Sequence, residues 1–98
     1  MGRPIATGGV SRHARIRMQQ RCVPADVVAQ LVGFGTARHD HRGGVVVFFD
    51  KRSRRRLERA AGPEARRTLE RWANAYAVVA ADGAVVTVGR RDRRFRRN

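Results

Sequence analysis

A histidine and two arginines recur at intervals of four residues near the start of the chain. His13, Arg17 and Arg21 lie within the segment SRHARIRMQQR, and helical spacing places them in one stripe, the α1 stripe, beside an apolar seam that includes Ala14 and Met18. We therefore predict a helix that buries one edge in the core and holds an imidazole among fixed positive charges at its rim. An imidazole in this setting is suited to move a proton near a bound anion.

The charge of the whole chain points to an anionic partner. The formal net charge is +14 at pH 7, and Lys51 is the single lysine among 22 basic residues. The planar fork of arginine binds phosphate in a bidentate manner. An excess of base of this size attracts phosphate backbones, anionic membranes or acidic proteins. Nucleic acid is the first expectation, and an acidic partner protein is an alternative.

Length and cysteine usage predict one cytoplasmic domain. The chain has 98 residues and one cysteine, which excludes an internal disulfide and a multi-cysteine metal cluster. No apolar run approaches the roughly 20 residues of a membrane span, and the first residues lack a signal-peptide core. We expect a flexible arm over residues 1–10, a single domain over 11–91 and a basic tail over 92–98.

Capping and turn residues predict a mixed fold. Ser11 is a suitable N-cap for a first helix, and Pro24 begins a second helix that ends near Gly33. A short strand at 36–40 and an apolar run at 45–49 follow, the latter typical of a central strand covered on both faces. Helices at 53–61 and 63–74 come next. The expected class is α+β, with an N-terminal helix pair packed on a three- to four-stranded antiparallel sheet and a helical insertion before a C-terminal hairpin.

The hairpin is indicated by Asp82-Gly83, which we interpret as a two-residue turn between strands at 76–81 and 84–89. Counting from this turn gives an apolar core face that includes Ala77, Val79, Val86 and Val88. The opposite face carries Tyr76 and Thr87, and Arg91 continues it. A phenol, a hydroxyl and a guanidinium on one face form a second candidate site.

These motifs resemble a bacterial protein family. The pattern His13-Ala14-x-x-Arg17-Met18-x-x-Arg21, followed by Val23 and a helix start, and the later Asp82-Gly83 and Val86-Thr87-Val88 are similar to the domain-of-unknown-function family 4258. That resemblance implies a RelE-like fold and a distant relationship to RelE-like and BrnT-like toxins, which cleave messenger RNA. This chain departs from the pattern in two places: the helical segment at 54–74 is long, and Cys22-Val23-Pro24 replaces the usual Gly-Ile-Ser.

The resemblance implies an RNA-binding protein, with RNA favoured over DNA, and a metal-independent endoribonuclease that needs no cofactor. In that reaction His13 acts as base or acid, Arg17 and Arg21 hold the phosphate, and Tyr76 or Arg91 contributes from the sheet. An acidic antitoxin-like protein is the implied partner. The expected phosphate contacts are Arg12, Arg15, Lys51, Arg52, Arg54, Arg55, Arg90, Arg93 and Arg94.

The sequence leaves other functions open. His13 is as readily a structural histidine, and the chain is then a non-catalytic nucleic-acid-binding or ribosome-binding module, or a basic protein neutralised by an acidic partner. His39 and His41 project from one side of a strand, but no third ligand is evident, so we expect no metal site. Cys22 is expected to be a small buried hydrophobic residue.

Overall fold

Four helices and four strands form the fold, and the computed structural model describes residues 9–40 and 43–91. The elements are α1 (Arg12–Gln20), α2 (Ala25–Phe34), β1 (Thr36–His39), β2 (Val45–Phe48), α3 (Lys51–Ala61), α4 (Pro63–Trp72), β3 (Ala75–Val79) and β4 (Val85–Arg90). The strands form one antiparallel sheet in the order β1-β2-β3-β4. The predicted α+β class is confirmed, including the N-terminal helix pair and the helices inserted before the last hairpin.

Helix starts follow the capping residues. The Ser11 hydroxyl accepts from the Ala14 amide at 3.1 Å. At α3 a reciprocal pair is formed, because the Asp50 carboxylate accepts from the Ser53 amide at 2.9 Å and the Ser53 hydroxyl accepts from the Asp50 amide at 2.8 Å. Pro63 occupies the first turn of α4, where its missing N–H has no helical acceptor to lose. These interactions fix where α1, α3 and α4 begin, whereas α2 begins after Pro24 without a side-chain cap.

The end of α1 requires an uncommon backbone conformation at Cys22, with φ of 54°. The Val23 amide donates to the Met18 carbonyl at 2.8 Å and the Cys22 amide donates to the Gln19 carbonyl at 3.3 Å. This pair of bonds is the helix termination that usually has glycine at the left-handed position. Cys22 is exposed rather than buried, so the expectation of a buried cysteine was wrong.

The hydrophobic core lies on one face of the sheet. It combines strand residues such as Val47, Ala77 and Val79 with helix residues such as Leu31 and Leu57. Phe48 is 5% exposed but does not belong to this core cluster, because successive strand residues point to opposite faces. β2 lies between β1 and β3, as expected of a central strand, and Val47 and Phe48 on its two faces are both buried. The helices lie on the Val47 side, where α1 and α2 pack and buried residues of α3 and α4 join the core.

The last hairpin has the predicted alignment over most of its length. Ala77 pairs with Val88 and Val78 pairs with Thr87. The turn, however, contains three residues, since the Gly83 amide donates to the Ala80 carbonyl at 2.9 Å and Gly83 adopts a φ of 89°.

A β-bulge absorbs the additional turn residue. Val79 consequently pairs with Val85 instead of Val86. Val85 is 1% exposed while Val86 is half-buried. The prediction of Val86 as a core residue was therefore wrong by one position, and the cause is Gly83, the left-handed third residue of the turn.

The chain preceding α1 pairs with the outer edge of β4. The Val85 amide donates to the Gly9 carbonyl and the Ser11 amide donates to the Val85 carbonyl, both at 2.8 Å, and Val10 forms a parallel bridge with Val85. Residues 1–8 of the expected arm and 92–98 of the expected tail lie outside the described residues. Within the described ranges, no helix has both the length and the apolar character that crossing a bilayer requires.

Candidate nucleic-acid interface

The α1 stripe is a surface feature of the first helix. His13 is exposed and Arg17 is half-buried. The Arg17 Nε donates to His13 Nε2 at 3.4 Å, as the four-residue spacing predicts. Arg21 is exposed at the C-cap of the helix. Because Ala14 enters the core and α1 packs against β4, the stripe lies on the helix-covered side of the sheet.

The opposite side of the sheet, here called the open face, is built by the pairing of four strands. One row crosses it from Thr36 through Phe48 and Tyr76 to Gly89. The next row consists of Arg38, Val46, Val78 and Thr87. None of these eight strand residues is a carboxylate. The open face is therefore an aromatic and aliphatic surface with hydroxyl and guanidinium groups at its margins.

Two arginines lie over the two aromatic rings of this face. The guanidinium carbon of Arg38 is 5.9 Å from the centre of the Phe48 ring, and that of Arg91 is 5.8 Å from the centre of the Tyr76 ring. Both arginines are exposed. A guanidinium over a ring is attracted by the electrons of the ring face, which holds the charge in a defined place. The structure therefore joins Tyr76 and Arg91, as the hairpin pattern predicted.

The Tyr76 ring depends on the glycine beside it. A Cβ atom added to Gly89 would lie 2.8 Å from the Tyr76 hydroxyl oxygen and 3.0 Å from two of its ring carbons. The tyrosine side chain therefore lies across β4 in space that any larger residue at position 89 would fill. This contact fixes the direction of the phenol on the open face.

The predicted catalytic residues fall into two separate groups. His13 and Arg17 are in contact on α1, whereas Tyr76 and Arg91 are in contact on the open face. The sheet lies between the two groups, because α1 packs on the core side and Tyr76 points away from it. The sequence spacing defined each pair correctly, but nothing in the spacing specified that they would face opposite directions.

A cationic cleft lies along α3. It has a volume of about 350 Å³ and is formed by Lys51, Arg52, Arg55, Arg56 and Arg59, and we call it the α3 cleft. One Arg56 nitrogen donates to the Phe34 carbonyl at 3.0 Å, which anchors that guanidinium at the end of α2. Arg56 and Arg59 were absent from the predicted phosphate contacts. The four-residue spacings from Arg52 to Arg56 and from Arg55 to Arg59 were the signal that identifies them.

Other predicted phosphate-binding residues have different surroundings. Arg12 and Arg15 are exposed on α1, and Arg54 is half-buried on α3, where its Nε is buried without a hydrogen-bond partner. Arg90 lies 4.8 Å from the Trp72 ring centre and donates to the Asn74 side chain at 3.1 Å and to the Arg71 carbonyl at 2.8 Å. Arg90 thus fastens the end of α4 to β4. Arg93 and Arg94 lie outside the described residues.

His39 is the last residue of β1. His39 is exposed, and the Asp40 carboxylate accepts from the Gly44 amide at 3.0 Å. His41 lies outside the described residues. In residues 9–40 and 43–91, no three histidine, cysteine, aspartate or glutamate side chains come close enough together to hold a metal ion.

Comparison with known proteins gives no relative from which function can be transferred. No protein-family model, curated protein or solved structure matches this chain. The geometry of the open face and of the α3 cleft is therefore the basis on which a function is assigned below.

Proposed function

We propose that this protein binds single-stranded RNA on the open face of its sheet. The observation that supports the proposal most directly is the pair of exposed arginines held over aromatic rings, Arg38 over Phe48 and Arg91 over Tyr76. Unpaired bases stack on aromatic rings and on guanidinium planes, and the same guanidinium groups bind phosphate. Phe48 is 5% exposed beneath Arg38, so the stacking surfaces available to a bound strand are the half-buried Tyr76 ring and the two exposed guanidinium planes, whose charges also attract phosphate.

Charge and hydroxyl groups favour RNA as the bound polymer. The net charge of +14 attracts a phosphate backbone, and the eight strand residues of the open face add no carboxylate that would repel it. Thr36, Tyr76 and Thr87 supply hydroxyl groups that are able to hydrogen-bond a ribose 2′-OH, which DNA lacks.

A binding assay tests this proposal. Fluorescence anisotropy compares a ten-nucleotide oligouridine with a ten-base-pair RNA duplex, and we expect tighter binding of the single strand. Replacement Tyr76→Leu removes a stacking ring, so affinity for the oligouridine should fall by about tenfold or more. Tyr76→Phe is the control that keeps the ring and should retain the affinity. Equal binding of duplex and single strand, or an unchanged affinity in Tyr76→Leu, would contradict the proposal.

A metal-independent endoribonuclease is the second candidate, and the contact between Arg91 and Tyr76 favours it. In such a reaction the 2′-oxygen attacks the adjacent phosphorus and gives its proton to water, the P–O5′ bond breaks, and the Tyr76 hydroxyl donates a proton to the departing 5′-oxygen, while Arg91 stabilises the negative charge that develops. Incubation of labelled RNA with the protein and excess chelator measures this activity. Cleavage that persists in Tyr76→Phe would remove Tyr76 as the acid.

The same proposal includes a cytoplasmic location and an acidic antitoxin-like partner. Such a partner would neutralise the basic surface and compete with RNA for it. The experiment is an RNA-displacement assay with deca-glutamate as the acidic competitor. Failure of deca-glutamate to displace RNA would remove the acidic partner from the proposal while leaving RNA binding intact.

A further inference from the structure

The open face and the α3 cleft meet at Thr36. This residue begins the row that contains Phe48 and Tyr76. It also lines a second cleft, of about 380 Å³, together with Arg52 and Arg56. Those two arginines belong to the α3 cleft as well. The two surfaces are therefore continuous, with Thr36 at their junction.

The two consecutive arginine-rich helices differ in charge pattern. The segment from Lys51 to Leu57, which forms the first turns of α3, contains five basic residues and no acidic one. In α4 the arginines alternate with Glu64 and Glu70. The cleft at Thr36 is lined by Arg52 and Arg56 of α3 and by one carboxylate, that of Asp50. Basic groups therefore outnumber acidic ones where a strand leaving the sheet would arrive.

We infer that RNA bound on the open face continues past Thr36 into the α3 cleft, where Arg55, Arg59 and their neighbours bind its phosphates. This inference rests on the proposed function. Four strands spaced by about 4.8 Å give a row of about 14 Å, and an eleven-residue helix adds about 16 Å. The combined length fits a strand of several nucleotides, with bases on the sheet and backbone along the helix.

Continuity and anchoring favour a nucleic-acid strand over an acidic peptide in the cleft. Arg56 is held by the Phe34 carbonyl, so a guanidinium is already positioned between the two surfaces before ligand arrives. The parallel N–H groups of a guanidinium are well matched to two oxygens of a phosphate. An acidic peptide would use the charge of α3 but would gain nothing from the adjoining aromatic row.

Two oligonucleotide lengths separate the two parts of the surface. The probes are fluorescein-labelled U3 and U10, and U10 should bind more tightly with a log–log salt slope that is steeper by about 0.7 for each added phosphate contact. The double variant Arg55→Gln, Arg59→Gln should lower U10 affinity by about tenfold and leave U3 affinity unchanged. The matched control is Arg66→Gln, Arg67→Gln, which removes the same charge from exposed positions on α4.

The outcomes distinguish this inference from the proposed function. Equal losses of U10 affinity in the α3 and α4 variants would show that only net charge matters and would overturn the inference. An unchanged U10 affinity in the α3 variant, with U3 still bound, would also overturn it while RNA binding stands. Failure of both oligonucleotides to bind would overturn both proposals. Tighter binding of deca-glutamate than of U10, lost in the α3 variant, would assign the cleft to an acidic protein instead.

Discussion

The α1 stripe and the open face use similar residue types in different structural settings. The stripe arises from consecutive turns of one helix, where His13 and Arg17 share a 3.4 Å contact at the surface. The open face joins residues as distant in sequence as Thr36 and Arg91, and each of its arginines lies over a ring. Strand pairing and ring contacts restrict side-chain freedom before a ligand binds, which lowers the entropy cost of binding. The open face is therefore the better organised of the two.

The largest difference should appear when equal charge is removed from the two regions. We expect Arg38→Gln combined with Arg91→Gln to weaken binding of U10 by about tenfold to a hundredfold, because phosphate and stacking contacts are lost together. The matched variant Arg17→Gln, Arg21→Gln should weaken it by only about twofold to threefold. Anisotropy titrations at one fixed salt concentration measure both effects. A larger loss in the α1 variant would place the RNA on the helix instead.

A smaller effect is expected when the tyrosine ring is displaced without removal of any charge. Gly89→Ala introduces a methyl group 2.8 Å from the Tyr76 hydroxyl, so U10 affinity should fall by several-fold and the protein should lose about 1–3 kcal/mol of stability from overpacking. Gly33→Ala is the control, because no atom lies within 4 Å of its added Cβ. That control should keep its affinity and gain about 0.5–1 kcal/mol. An affinity unchanged by Gly89→Ala would show that RNA does not contact the ring.

His13→Ala should have almost no effect. The imidazole is exposed, and alanine favours the helix, so we expect a melting temperature within about 2 °C of the native protein and an affinity for U10 within about twofold. Calorimetry and anisotropy check these values. If RNA cleavage is detected, a loss of about a hundredfold in His13→Ala would instead identify His13 as a general acid or base. The α1 stripe, and not the open face, would then be the more important region.

The smallest expected change in RNA binding accompanies a substitution at the end of α1. Cys22→Gly relieves the positive φ of 54°, but glycine also loses more chain entropy on folding, so we expect a net stabilisation of about 0.5–1 kcal/mol with unchanged RNA binding. Urea unfolding measures this change in the free energy of unfolding. Cys22→Ala retains the backbone strain and should leave the stability near its native value. Equal stabilities of the glycine and alanine variants would show that the strain is negligible.

Local sequence patterns predicted the positions of the helices and strands better than they predicted which side of the sheet each strand residue faces. Capping residues and the Asp82-Gly83 turn were sufficient to place helices and strands, and alternation correctly separated Ala77 from Tyr76. The apolar run at 45–49 has no alternation, so its sequence could not specify that Val47 enters the core while Phe48 lies on the open face. The bulge opposite Val79 depends on a third turn residue, which the dipeptide signal does not specify.

The residues of the open face lie beside one another only because strands that are distant in sequence pair in the sheet. Neither Thr36 nor Phe48 was a predicted site residue, because each becomes relevant only when β1, β2 and β3 place it beside Tyr76. The α3 cleft, in contrast, was accessible from helical spacing alone. Sequence patterns thus define sites within one element, whereas sites shared among strands require the order and register of the sheet.

The position of α1 against β4 has a consequence for the synthesis of this protein. The first helix to leave the ribosome packs on the last strand, and Gly9 and Ser11 bond to Val85 at that strand's beginning. The apolar edge of α1 therefore remains uncovered until β4 has emerged. Closing so long a loop is slower than the pairing of elements that are neighbours in sequence. A chain cut short before β4 would leave that helix exposed to proteases.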